Sequence, residues 1–175
     1  PWVKLITASM VFVGSFLSFS LEPIVGRLIT PFFGGSAHLW IVSLMVFQAL
    51  LLLAYLYAHL LAKRLRQWHL LILLLPLLQW PLNFVSQVAP KAPTFTLIVE
   101  LVLQVSLPFA VLCTTAVVAQ CWWYQSKNAS THGPPYFLYA VSNWGAMVAL
   151  FAYPFVLEPL VGLHAQRWMW SVAYL

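Results

Sequence analysis

Charge is what this sequence has least of. Eight lysines and arginines and three glutamates, with no aspartate, make up 6% of 175 residues. A soluble domain of this length carries roughly a quarter charged residues to keep its surface wet. That shortage excludes a chain covered by water, and lipid must cover it instead. Cysteine is rare too, with two residues. Cys113 and Cys121 stand eight residues apart in one apolar stretch. On a straight helix that spacing is ~12 Å, too long for a disulfide. Both read as small packing residues. A metal-ligand spacing, a glycine-rich phosphate loop and a nucleophile triad are missing too, so no metal-ligating or catalytic residue is expected and the sequence names no cofactor.

Apolar residues fill the remainder. They are 63% of the sequence, and the mean hydropathy is +0.91. The net charge of +5 would point to nucleic acid in a soluble protein. Here the basic residues sit in short loops between apolar runs, where they orient helices, so no nucleic-acid partner is expected. The expected partners are the lipid bilayer and other membrane subunits.

Runs of roughly 20 apolar residues, the length that crosses a bilayer, recur along the chain. They predict an all-α polytopic transmembrane bundle with five complete segments and a truncated sixth. Segment one covers about 3–21 and stops at Glu22-Pro23, because proline disfavours helix in the residue before it. Leu5–Leu21 is too long for a secretory signal and lacks its cleavage site. A loop from Gly26 to Ala37 follows, with Gly34-Gly35-Ser36 as its turn signal. Segment two covers about 38–62 and ends in Lys63, Arg64 and Arg66. Segment three, about 68–88, carries Pro76 and Pro81, expected to kink it without breaking it. Segment four, about 94–123, exceeds one perpendicular crossing and should tilt, kink or protrude. A polar loop, Gln125 to Pro135, holds the sequon Asn128-Ala129-Ser130. Segment five covers about 136–157 and ends at Glu158-Pro159; segment six covers about 166–175. The chain opens on Pro1 and closes inside an apolar run, which leaves room for a soluble C-terminal domain.

Sidedness follows from the basic loops. With Lys63, Arg64 and Arg66 in the cytoplasm, alternation places Lys4 and Lys127 there and Arg27, Lys91 and Arg167 outside. The expected setting is a bacterial inner membrane with the N-terminus inside. Most tryptophans, Trp2, Trp40, Trp68, Trp80, Trp122, Trp123 and Trp168, fall near segment ends, where an indole suits the membrane interface.

The candidate polar residues are Glu22, Arg27, His59, Glu100, Asn143, Glu158 and Arg167. Two acids share a context: Leu21-Glu22-Pro23-Ile24-Val25-Gly26 matches Leu157-Glu158-Pro159-Leu160-Val161-Gly162, and Arg27 or Arg167 follows each. Segments one and five have the same parity, so both motifs should emerge on one side. One reading makes them related half-sites of a substrate or proton pocket, since intramembrane carboxylates are costly unless used. The other pairs each glutamate with its own arginine or with backbone amides. Glu100 shares a helix face with Gln104 at i+4. It is either an interfacial or paired group, or part of a polar pathway. His59 shares a face with Tyr55 and reads as an interfacial anchor. Ser142, Asn143 and Gly145 interrupt segment five and read first as helix packing, with Asn143 bonding across, and second as a ligand contact.

Three stretches together resemble a known family. They are Leu21 to Arg27 with Pro31 to Trp40, then Phe47 to Leu60, then Pro135 to Gly145 with Tyr153-Pro154 and Leu157 to Leu163. They resemble the membrane region of the fused major-facilitator/spermidine-synthase-like family; residues 67–94 match only in hydrophobicity. The resemblance implies a helical membrane domain that precedes a soluble, aminopropyltransferase-like domain. The soluble part would carry the cofactor pocket and the catalytic acids, none of which these residues contain.

Three functional expectations result. The first is a noncatalytic membrane domain, acting as scaffold or accessory subunit of a larger complex, or as anchor of a missing synthase-like domain. The second is a transporter-like domain with a polar site at Glu22, Glu100 and Glu158. The third is a membrane-anchored aminopropyltransferase-like enzyme whose active site lies beyond residue 175.

Overall fold

The computed structural model describes residues 2–61, 72, 74–82, 92–125 and 134–175. Among the described residues all regular structure is helical. Helix α1 is Trp2–Phe33 and α2 is Ala37–Leu61. Helix α3 is Pro93–Gln125. Helix α4 runs from Tyr136 to Leu160, with a wide π turn at Tyr153–Leu157. Helix α5 is Leu163–Tyr174. Four of these, α1 to α4, are long and apolar enough to cross a membrane. The protein is an integral membrane protein by that measure.

The outer surface carries the same message. Leu52 is 69% and Phe155 is 72% exposed, and many other large apolar side chains face outward. In water such residues would be buried. The interior is packed as well: Leu21, Val25 and Ile29 of α1 meet Phe47 of α2 and Leu101 and Val105 of α3. A smaller cluster joins Val11, Ala119, Trp123 and Leu138.

Residue pairings give the helix directions. Lys4 lies over Phe137, Ser15 bonds Ser142, Tyr153 bonds Pro23 and Arg27 meets Glu158, so α1 and α4 are parallel. His38 bonds Thr94 and Phe47 packs on Phe109, so α2 and α3 are parallel to each other. Gly14 lies against Thr115, and Ser18 beside Cys113, so α3 is antiparallel to α1. Trp170 of α5 bonds Leu17, while Ala173 to Leu175 lie near Met10 and Val13, so α5 descends along α1.

Several expected boundaries move. Segment one does not stop at Glu22-Pro23, and the expected Gly26–Ala37 loop shrinks to residues 34–36. Pro23 and Pro31 both sit inside α1. Each costs a helical hydrogen bond, about 3 kcal/mol in a helix interior. Ending the helix inside lipid would orphan several backbone groups at several kcal/mol apiece, and that is worse. The hydroxyls within the helix find partners on its own backbone: Ser18 donates to Gly14, Ser20 to Leu17 and Thr30 to Gly26. The turn comes instead at Gly34, whose φ of 80° favours glycine. Its N–H donates to the Thr30 carbonyl at 2.8 Å.

Segment two matches α2 to within a residue at each end. Segment three lies largely outside the described residues. Its described part is a 3₁₀ turn, Leu75–Gln79, and the chain turns extended at Trp80, so it breaks where a kink was expected. Tertiary bonds hold that shape. Gln79 accepts the Leu107 N–H at 3.0 Å, and the Trp80 indole donates to the Ser171 carbonyl at 2.9 Å. Segment four becomes α3, unbroken through Pro108. At 1.5 Å per residue α1 and α3 are each about 50 Å long, well beyond a ~30 Å core. Segment five extends past Glu158 to Leu160, and segment six begins at Leu163, not near Gln166. The sequon and the basic residues Lys63, Arg64, Arg66, Lys91 and Lys127 lie outside the described residues.

The α1–α4 seam depends on Gly145. A Cβ there would come within 2.5 Å of the Phe12 carbonyl oxygen. Backbone cannot yield as a side-chain end can. Gly145→Ala should therefore destabilise the folded protein by about 1–3 kcal/mol, as overpacking does. Gly162→Ala, with nothing within 4 Å, should change little. Thermal unfolding in one mild detergent checks the contrast.

Candidate functional site

The two matching hexapeptides occupy different structural settings. Leu21 to Gly26 lies inside the continuous helix α1. Leu157 to Gly162 ends α4 and opens α5, with Gly162 extended at the α5 N-cap. The glycines differ accordingly. The Trp40 ring crosses Gly26 so closely that a Cβ would approach its carbons to 2.4 Å, whereas Gly162 stands in open space.

The motifs nevertheless meet. Arg27 Nη2 lies 2.9 Å from Glu158 Oε1, an ion pair between α1 and the end of α4. The expectation that each glutamate pairs with its own arginine is replaced by this cross-pairing. The reason is helical geometry. Glu22 and Arg27 are five residues apart, roughly 140° around the helix, so they face different ways. The π turn supplies the other half of the geometry. Leu138, Gly145, Ala149 and Tyr153 form the buried stripe of α4. The Glu158 N–H donates to the Tyr153 carbonyl, five residues back. That wide turn carries Glu158 onto the stripe, toward Arg27. One turn deeper, the Tyr153 hydroxyl donates to the Pro23 carbonyl at 3.3 Å. The ion-paired side chains are 54% and 36% exposed, so the pair ties the bundle at its edge.

The other candidates do not join this pair. Glu22 is half-buried on α1 and has no ionic or hydrogen-bond partner among the described residues. Glu100 is half-buried in the second turn of α3, between the buried Leu97 and Leu101, also without such a partner. Arg167 is half-buried on α5, with its guanidinium 5.9 Å from the Trp168 ring. Its neighbour Gln166 donates to the Leu157 and Val161 carbonyls at 3.0 and 2.7 Å and fastens the α4–α5 bend. His59 is exposed in the last turn of α2, at the end of the bundle away from Glu158. Asn143 is exposed and makes no interhelical bond among the described residues, where one across to a neighbouring helix was expected; Ser142 and Gly145 make the α1–α4 seam instead.

Two open grooves accompany these residues, and none of the three glutamates lines either. One, about 330 Å³, lies between α1, α3 and α5 and includes Met10, Leu17, Leu112 and Tyr174. The other, about 340 Å³, lies between α2 and α3 and includes Leu50, Tyr57 and Ala110. Among the described residues there is no cluster of three His, Cys, Asp or Glu that could hold a metal. Cys113 and Cys121 are free thiols. No family model, curated protein or solved structure matches the chain.

Three contributors were missed in the sequence: Ser15, Tyr153 and Trp170. Ser15 had a readable signal, since it sits within Gly14, Ser15 and Ser18, small residues at the spacing that lets membrane helices approach. Trp170 had none. Its indole donates to the Leu17 carbonyl at 2.9 Å, a partner 153 residues away.

The ion pair makes a measurable claim. Arg27→Ala and Glu158→Ala in a double-mutant cycle should show a coupling of about 0.2–1 kcal/mol, the size of exposed pairs. The swap Arg27→Glu with Glu158→Arg should recover part of the loss. Glu22→Gln should leave the coupling unchanged, as read from unfolding in detergent.

Proposed function

We propose that this chain is a noncatalytic membrane domain, serving as scaffold or accessory subunit of a larger membrane complex, or as anchor of a synthase-like domain. The observation that carries the reading is where the polar side chains go. Ser15 with Ser142, Tyr153 with Pro23, Arg27 with Glu158, Trp80 with Ser171 and Trp170 with Leu17 all join one part of the fold to another. They hold the bundle together, and the cavity that Trp80 and Trp170 share is only about 10 Å³, too small for a solute. The resemblance to the fused major-facilitator/spermidine-synthase-like membrane region is part of the same proposal.

A six-crossing layout with the N-terminus inside a bacterial inner membrane accompanies it. Its support is directional. Parallel α2 and α3 put the end of one and the start of the other at opposite ends of the bundle. The ends of α2 and α3 lie at the Lys4 end, and each precedes a basic residue, Lys63 or Lys127. Helix ends that lead into basic residues favour the cytoplasmic side.

Glu22 favours a second, transporter-like reading, because a half-buried carboxylate with no partner among the described residues is costly in lipid. On the scaffold reading, Glu22→Gln and Glu100→Gln leave proton and solute flux through reconstituted vesicles unchanged. A tenfold fall in flux for either would move the assignment to the transporter. Gentle extraction from native membranes should bring a second polypeptide down with the chain, and its absence would count against an accessory subunit.

A further inference from the structure

We propose that the outward face of α4 around Asn143 pairs with the same face of a second copy of this chain within the membrane. This rests on reading α4 as a membrane-spanning helix. Asn143 is exposed, and its carboxamide has no hydrogen-bond partner among the described residues. Its neighbour Trp144 is 60% exposed, and its indole N–H is likewise unbonded among those residues. Neither sits at an interface. Asn143 lies six residues beyond Phe137, which the Lys4 ammonium covers at 4.6 Å. It lies fifteen residues before the ion-paired Glu158. At 1.5 Å per residue it is about 9 Å from one polar level and about 22 Å from the other, inside a core of ~30 Å.

Acyl chains offer these groups neither donor nor acceptor. A carboxamide carries both, an acceptor oxygen and two donor hydrogens, so it complements itself. A two-fold axis sets a residue against its own copy. Two Asn143 side chains on such an axis satisfy each other, and the Trp144 N–H can donate into the same pair. The helix surface allows the approach: Ala140, exposed and small, is one turn before Asn143, and Met147 is one turn after. Gln48 on α2 is a useful contrast. It is also exposed, but it is flanked by the buried Phe47 and by Ala49, with no second polar group beside it.

Energy transfer between donor- and acceptor-labelled copies in phosphatidylcholine vesicles, across a range of protein-to-lipid ratios, tests the pairing. Wild type should show transfer that falls on dilution with lipid. Asn143→Leu should weaken association about 3- to 30-fold, the range for interhelical polar bonds. Asn143→Gln should restore most of it, and Gln48→Leu should leave it unchanged. Asn143 and Gln48 both face outward, so none of these changes disturbs the core. Inserted wild type without transfer at any ratio, or Asn143→Leu as tight as wild type, overturns the proposal. Flotation of the same vesicles reads the membrane assignment separately: a chain that fails to float with lipid overturns that assignment and the pairing with it.

Discussion

Inside hydrocarbon a backbone N–H or C=O has only the protein to bond, and that constraint organises this structure. It explains why α1 continues through two prolines and why α3 continues through a third. It also explains the side chains that serve the backbone. Serine and threonine hydroxyls return to carbonyls one turn back, and Gln79 takes up the Leu107 N–H just before Pro108. Indoles of Trp80 and Trp170 reach carbonyls on other elements. Polarity in the bundle is largely a service to the main chain.

Helix packing follows from the same setting. Lipid tails are as apolar as leucine, so burial alone gives helices little reason to associate. Close approach and a few polar bonds must do it. The α1–α4 seam has both, with Gly145 against the Phe12 carbonyl and Ser15 sharing a hydrogen bond with Ser142. The Arg27–Glu158 pair closes that seam at its edge, where water lowers the desolvation cost.

Much of the helix content was legible because it depends on composition and run length. Segment two and segment four were read to within about two residues at each end, since both are bounded by polar stretches or proline. Boundaries set by tertiary bonds were not legible. Proline at 23 is locally a stop signal, overruled by the backbone's need for partners in lipid and by the packing of Ile24, Val25 and Ile29. At the candidate site, the two Glu-Pro motifs were readable as related strings, and so was their shared side. Their cross-pairing was not, because it depends on a π turn that no residue pattern announces. Asn143 was read as an internal bond, and one step of helical rotation places it outside.

The order of the helices along the chain has a consequence during synthesis. α1 makes its most extensive seam with α4, which begins at Tyr136, long after α1 ends at Phe33. At ribosomal speeds of 5–20 residues per second, α1 waits about 5–20 s before its partner emerges. Through that interval the serines of α1 and its half-buried Glu22 must be sheltered by the insertion machinery, by α2 and, once it emerges, by α3. The newborn protein is thus most vulnerable to capture or degradation before its fourth long helix leaves the ribosome.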